Sequence, residues 1–128
     1  MTSVSGSINS YDLDGVITLG ITPGPDDIII TGRSFEEARE TYRYLHSRGI
    51  LNAVFFQPRP FASKTRESSG AHKGMLLQQL LHNGVRVEKH FEDDEVQKQE
   101  IEKLVDIPVV HLVHDLTEKE NVRHPYEG

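Results

Sequence analysis

The chain contains no cysteine. Disulfides, thiolate zinc sites, iron–sulfur clusters and a cysteine nucleophile are thereby excluded, and the composition fits a reducing, cytoplasmic setting. No apolar run approaches the ~18 residues that a membrane span needs, so no membrane partner is expected. The opening residues, MTSVSGSINS, lack both the basic start and the apolar stretch of a secretory signal. No G-x-x-x-x-G-K phosphate loop occurs, so ATP-driven kinase chemistry has no support. Basic charge is also short. With 14 Lys/Arg against 20 Asp/Glu the net charge is −6, which argues against general coating of nucleic acid. There is no internal repeat, low-complexity tract or linker.

What remains is the composition of one folded domain, residues 1–128, with 36% hydrophobic and 27% charged residues. The charge is uneven. Residues 33–73 hold eight Lys/Arg against four Asp/Glu, so the middle of the chain is basic while the flanks are acidic. Such a stretch either faces an anionic substrate or averages out over the surface.

Hydrophobic periodicity divides the chain into alternating strands and helices. Residues 8–13 read as a short strand with polar interruptions. Ile28-Ile29-Ile30-Thr31 is a β-branched run of the kind buried on both faces of a sheet. A helix is expected over 34–47, with Ser34 and Glu37 as its capping box and Gly49 as its stop. Phe35, Ala38, Tyr42 and Leu45 would form its buried face. A strand over 52–56 is broken by Pro58-Arg59-Pro60, which opens a loop to about residue 70. A helix over 72–81, with Met75, Leu76, Leu80 and Leu81 inward, ends at Asn83-Gly84. Then follow a strand over 85–91, a helix over 94–105 with Asp94 and Gln97 in capping-box positions, and a strand over 109–113. Thr117 and Glu120 suggest a further short helix.

Five strands alternating with at most four helices predict an open α/β sandwich, a mostly parallel sheet covered on both faces. In such sheets ligands bind beyond the carboxyl ends of the strands, where strand order reverses. The residues at those ends are chemically pointed. Asp12-Leu13-Asp14-Gly15 follows the first strand and Thr31-Gly32-Arg33-Ser34 the second. Lys73 lies in the first turn of the expected third-to-fourth strand helix, and Glu92-Asp93-Asp94 follows the fourth strand. In extended backbone Asp12 and Asp14 point to the same side. Two carboxylates so placed repel unless a cation or a shared proton relieves them. A third oxygen donor from Asp93, or less favourably from Asp94 with its capping duty, makes a hard-cation site, Mg²⁺ first. Gly15 permits a tight exit where a side chain would crowd the site. The Glu that closes an EF-hand loop is missing. His111 and His114, three apart at a strand end, do not make a zinc pair.

This ordered set resembles the haloacid dehalogenase superfamily of phosphotransferases, over about residues 8–113. The Asp-x-Asp motif matches Asp12-Leu13-Asp14-Gly15-Val16, the Ser/Thr motif matches Thr31, the Lys motif matches Lys73, and the acidic motif matches Phe91-Glu92-Asp93-Asp94. The resemblance implies a Rossmann-like three-layer sandwich and Mg²⁺-dependent phosphomonoesterase activity. It also implies roles. Asp12 is the nucleophile that forms an aspartyl-phosphate, and Asp14 is the acid and then the base. Thr31 and the Gly32 amide hold a phosphoryl oxygen, and Lys73 offsets charge. The metal sits on Asp12, the Asp14 carbonyl and Asp93. Dehalogenases of the superfamily lack a carboxylate at the Asp14 position, so Asp14 favours phosphatase chemistry.

Neither place where relatives insert a cap domain, residues 15–27 and 57–69, is long enough to fold one. Uncapped relatives act on large substrates or borrow a neighbouring subunit as a lid. The expectation is therefore a phosphate on a large or extended molecule, a nucleic-acid end first, gripped by Arg33, Arg59, Lys64 and Arg66. The rival readings are a nucleotide or other small-molecule phosphatase with an oligomeric lid, and a non-catalytic phosphate-binding protein of the same fold.

Overall fold

Strand β2 (Ile28–Ser34) explains the architecture best. Its successive isoleucines alternate between two cores: Ile29 joins one hydrophobic cluster, while Ile28 and Ile30 join the other. A strand that feeds two cores must lie inside a sheet covered on both sides. The computed structural model, which describes residues 6–113, shows this sheet. It has five parallel strands in the order β3-β2-β1-β4-β5: β1 (Ile8–Tyr11), β2, β3 (Val54–Gln57), β4 (Val87–Glu92) and β5 (Val109–His111). The expected parallel α/β sheet is present, with three α-helices among the described residues. The Thr117–Glu120 segment and His114 lie outside them.

On one face, α1 (Ala38–Ser47) and the 3-10 turn Ile17–Leu19 cover Tyr11, Leu13, Ile29 and Ile50. On the other, α2 (Arg66–His82) and α3 (Glu95–Glu102) cover Ile30, Val87 and Val105 through Leu77 and Ile101. Strand order sets the job of α2. β3 is at one edge, whereas β4 lies beside β1, so the chain must cross β2 and β1 to reach it. Helix α2 makes that crossing and packs closely on α3. Cβ atoms on Gly70 or Gly74 would meet Gln97 Cα at 2.7 Å and Leu104 Cδ1 at 2.9 Å. The reversal of strand order falls between β1 and β4, the crevice position for a ligand.

Several expectations need correction. Helix α2 begins at Arg66, not at residue 72, because Thr65 and Ser68 form a reciprocal capping box inside what reads as loop. Lys73 is therefore in mid-helix rather than in the first turn. The buried line of α2 is Ser69, Gly70, Lys73, Gly74 and Leu77, while Met75 is 60% exposed. On α1, Thr41 and Leu45 are buried, whereas Phe35 is 64% exposed and flanks Phe56 at 5.7 Å. The Ser34–Glu37 capping box forms as expected but heads a 3-10 turn (Phe35–Glu37) that runs into α1. Asp94 caps α3, accepting from Val96 N–H at 2.9 Å, but Gln97 reaches its carboxylate rather than its backbone.

Candidate functional site

Parallel pairing of β1 with β4 sets Ser10 beside His90 in register and brings Asp12, one residue past β1, level with Glu92. Alternation then puts Ser10 and Asp12, and likewise His90 and Glu92, on the sheet face under α2. Tyr11 and Phe91 point the other way and stack at 4.8 Å. Lys73 drops from the middle of α2 onto this polar column. Its Nζ donates to Asp12 Oδ1 and to Glu92 Oε1, both at 2.9 Å, and all three side chains are fully buried. Glu92 Oε1 also lies 3.0 Å from His90 Nε2, and His90 Nδ1 lies 2.7 Å from Ser10 Oγ. An ionised Glu92 only accepts, so Nε2 carries the ring proton and Nδ1 accepts from the Ser10 hydroxyl. The result is one continuous chain, Ser10–His90–Glu92–Lys73–Asp12.

Burial dominates its electrostatics. Loss of water, with the Glu92 charge added, pushes the Asp12 carboxyl well above its ordinary range against the pull of Lys73. Burial raises Glu92 likewise, again opposed by Lys73. Burial alone would weaken the Lys73 ammonium, but the Asp12 and Glu92 charges outweigh it and hold the proton more firmly than usual. Burial and the neighbouring Lys73 charge push His90 far down, so its ring is neutral.

Asp12 Oδ1 accepts from Leu13 N–H at 2.8 Å as well as from Lys73, whereas Oδ2 is buried with no protein partner. Asp12, Glu92 and Asp93 each offer an oxygen within 4.8 Å of the others, and all three are buried. A set of hard oxygen donors with an excess of negative charge and one orphaned oxygen fits a divalent cation of the Mg²⁺ class. Gly15 is what admits Asp93. Its φ is +86°, and a Cβ there would overlap the Asp93 carboxylate.

Of the residues expected from the sequence, Asp12, Lys73 and Asp93 are brought together. Asp14 points elsewhere. Its two oxygens accept from Arg33 Nε and Nη2 at 2.9 and 2.7 Å. Thr31 is buried, and its Oγ1 accepts from Arg33 N–H at 3.0 Å, which joins it to Arg33 rather than to Asp12. The Gly32 carbonyl accepts from Lys64 Nζ at 2.9 Å. Three residues of the expected basic grip are engaged within the fold, Arg33 on Asp14 being the first. Lys64 is buried on Glu37 at 2.9 Å, and Arg66 forks the Asp94 carboxylate at 2.9 and 2.7 Å. Asp94, capping α3 and paired with Arg66, is thereby spent as a ligand, while Arg59 is exposed.

Two members of the site escaped sequence reasoning, His90 and Ser10, and Glu92, named within the acidic stretch after the fourth strand, was given no role of its own. The signal was the i, i+2 spacing of His90 with Glu92 and of Ser10 with Asp12. On two adjacent parallel strands that spacing lines one face with polar groups, which from sequence reads as a strand face turned to water. Comparison with known proteins adds no relative: no family model, no curated protein and no solved structure matches this chain.

Proposed function

We propose that the protein is a Mg²⁺-dependent phosphomonoesterase that works through an aspartyl-phosphate on Asp12. The observation that carries this reading is the buried convergence of Asp12, Lys73, Glu92 and Asp93 at the β1–β4 reversal, with Asp12 Oδ2 left unpartnered. A nucleophile or a ligand needs one oxygen free, and a phosphoryl group needs a fixed cation beside it. Both are present, and phosphoryl transfer is chiefly positioning and charge stabilisation.

A bound Mg²⁺ on Asp12 and Asp93 would supply a Lewis acid against the phosphoryl oxygens. The chain's own groups do the rest. An Asp12 carboxylate oxygen attacks phosphorus while the bond from phosphorus to the leaving oxygen breaks, and that oxygen takes a proton from Asp14. Asp14 then takes a proton from a water whose oxygen attacks the same phosphorus. The Asp12–phosphorus bond breaks, inorganic phosphate leaves, and both carboxyl groups return to their starting state. Lys73, fixed by Glu92, balances the charge that builds on Asp12 and the phosphoryl group. His90 and Ser10 hold Glu92 in place.

An uncapped crevice is part of this reading, supported by the short segments at the two places where relatives insert a cap. Residues 15–27 and 58–65 each contain only one 3-10 turn, Ile17–Leu19 and Phe61–Ser63. An uncovered crevice suits a phosphate on an extended molecule, with a nucleic-acid end the first choice and exposed Arg59 the remaining outer cation. The test is release of phosphate from an aryl phosphate with and without Mg²⁺. Mg²⁺-dependent turnover that is lost in Asp12→Asn is expected. No turnover by the folded wild type, or equal turnover by Asp12→Asn, overturns the reading.

A further inference from the structure

The Asp14–Arg33 pair is at odds with the duty just assigned to Asp14. Both carboxylate oxygens sit in a guanidinium fork, at 2.7 and 2.9 Å, so both face Arg33 rather than a leaving group. The third arm of the guanidinium, Nη1, donates to Thr41 Oγ1 at 3.0 Å, and that hydroxyl donates to the Glu37 carbonyl at 2.7 Å. Arg33 is thus braced on the start of α1, and its backbone N–H is fixed on Thr31. Unlike Lys73 and Lys64, whose side chains are fully buried, this pair is reachable from solvent: Arg33 is 18% exposed and Asp14 13%. A partly open bidentate pair is weak enough to exchange partners, and guanidinium accepts phosphate in the same fork geometry as carboxylate.

We propose that Arg33 is a latch on Asp14, released by a second anionic group of the substrate. This rests on the phosphatase reading above. The reacting phosphoryl group is occupied at Asp12 and Lys73, so it is not the group that draws Arg33 away. A second phosphate on the substrate takes the fork and leaves Asp14 free to face the leaving oxygen. A lone phosphomonoester binds to a site whose acid is still held. Arg33 then selects for substrates with two phosphates by gating a neighbouring group rather than by adding affinity alone. The shared chemistry is a monoester with a second phosphate one pentose away, carried by a free nucleotide or by the end of a strand.

The test compares phosphate release from a nucleoside 3′-monophosphate and from the matching 3′,5′-bisphosphate, by wild type, Arg33→Gln and Arg33→Lys, with Mg²⁺. Release is read as loss of the 3′-phosphate, so the leaving 3′-oxygen is shared and the second anion is the variable. In Arg33→Gln, kcat on the monophosphate should rise about threefold or more, while kcat/KM on the bisphosphate falls about tenfold. Arg33→Lys keeps charge without the fork and should fall between. A dinucleotide with a terminal 3′-phosphate separates the sources: preference for it over the bisphosphate assigns a strand end, the reverse a free nucleotide, and both support the latch. Equal loss on all substrates, or no change, overturns the latch and leaves the phosphatase reading standing. A folded wild type inert to every substrate overturns both. Should Arg33→Gln fail to fold, the Arg33 Nε–H resonance of the wild type decides. It should move with inorganic pyrophosphate and not with orthophosphate, and no movement with pyrophosphate overturns the latch.

Discussion

Removing the Lys73 ammonium should expose what holds the site together. In Lys73→Met a side chain of similar length and volume replaces it, so packing between α2 and the sheet changes little while Asp12 and Glu92 lose the cation 2.9 Å from each. Both carboxyl groups are fully buried, and breaking a buried pair from one side costs about 3–5 kcal/mol because the partner charge is left without compensation. A domain of this size has about 5–15 kcal/mol in all, so the variant is severely weakened. Glu92→Gln in the same background removes one of the two stranded charges and keeps the shape. The double variant should therefore be more stable than the sum of the single losses predicts, by about 1–3 kcal/mol. Urea unfolding of wild type, both single variants and the double variant, at neutral pH with chelator present, gives the coupling. If Lys73→Met is too unstable to isolate, recovery of a cooperative transition in the double variant reports the same effect. Additive losses, with coupling below about 0.5 kcal/mol, would refute the claim that Lys73 is held by the carboxylates it touches.

Gly15→Ala should weaken Mg²⁺ binding about tenfold or more by displacing Asp93, whereas Gly20→Ala, with the same sign of φ (+108°) but open space around it, should leave affinity nearly unchanged in calorimetry. Gly70→Val should lower stability by about 1–3 kcal/mol in urea unfolding, since its Cβ would press on Gln97 Cα at 2.7 Å and Glu100 Cβ at 2.8 Å. Burial works to raise the Glu37 carboxyl, but Lys64 and the Ser34 N–H outweigh it and hold it below its ordinary value of 4.5. The stability this contributes is present above that value and lost as pH falls through the lower folded one, so Lys64→Met should flatten the acid limb of the unfolding curve and cost about 3 kcal/mol at neutral pH.

Elements whose signal was apolar were legible in the sequence. The Ile28–Ile30 run announced a strand with two covered faces, and the strand–helix alternation announced a parallel sheet. Asp12, Lys73 and Asp93 could be placed together because residues at strand ends converge in such a sheet. Elements whose signal was polar or small were not. Helix α2 hides its start because Ser68, rather than Glu or Gln, completes the capping box with Thr65. Its fully buried line contains two glycines and a lysine, and of the expected apolar stripe Leu76, Leu80 and Leu81 pack against the core in part while Met75 faces out. Phe35 and Tyr42 look like core residues but lie half outside, flanking Phe56 from the solvent side. The buried His90–Glu92 pair looks like the wet face of a strand, and only its partners on β1 and α2 show otherwise. Lys64 and Arg66 read as free loop cations because their carboxylate partners are about 27 and 28 residues away in sequence, beyond local pattern rules.

On the proposed mechanism Asp12 becomes covalently phosphorylated in every turnover. Acid-quenching the Mg²⁺-loaded wild type during turnover, reducing it with borohydride and mapping its peptides by mass spectrometry tests this directly. Reduction of an aspartyl-phosphate leaves homoserine, and the account predicts homoserine at position 12 in the wild type. Turnover without homoserine at position 12, or with the phosphoryl group trapped on another side chain, would contradict it.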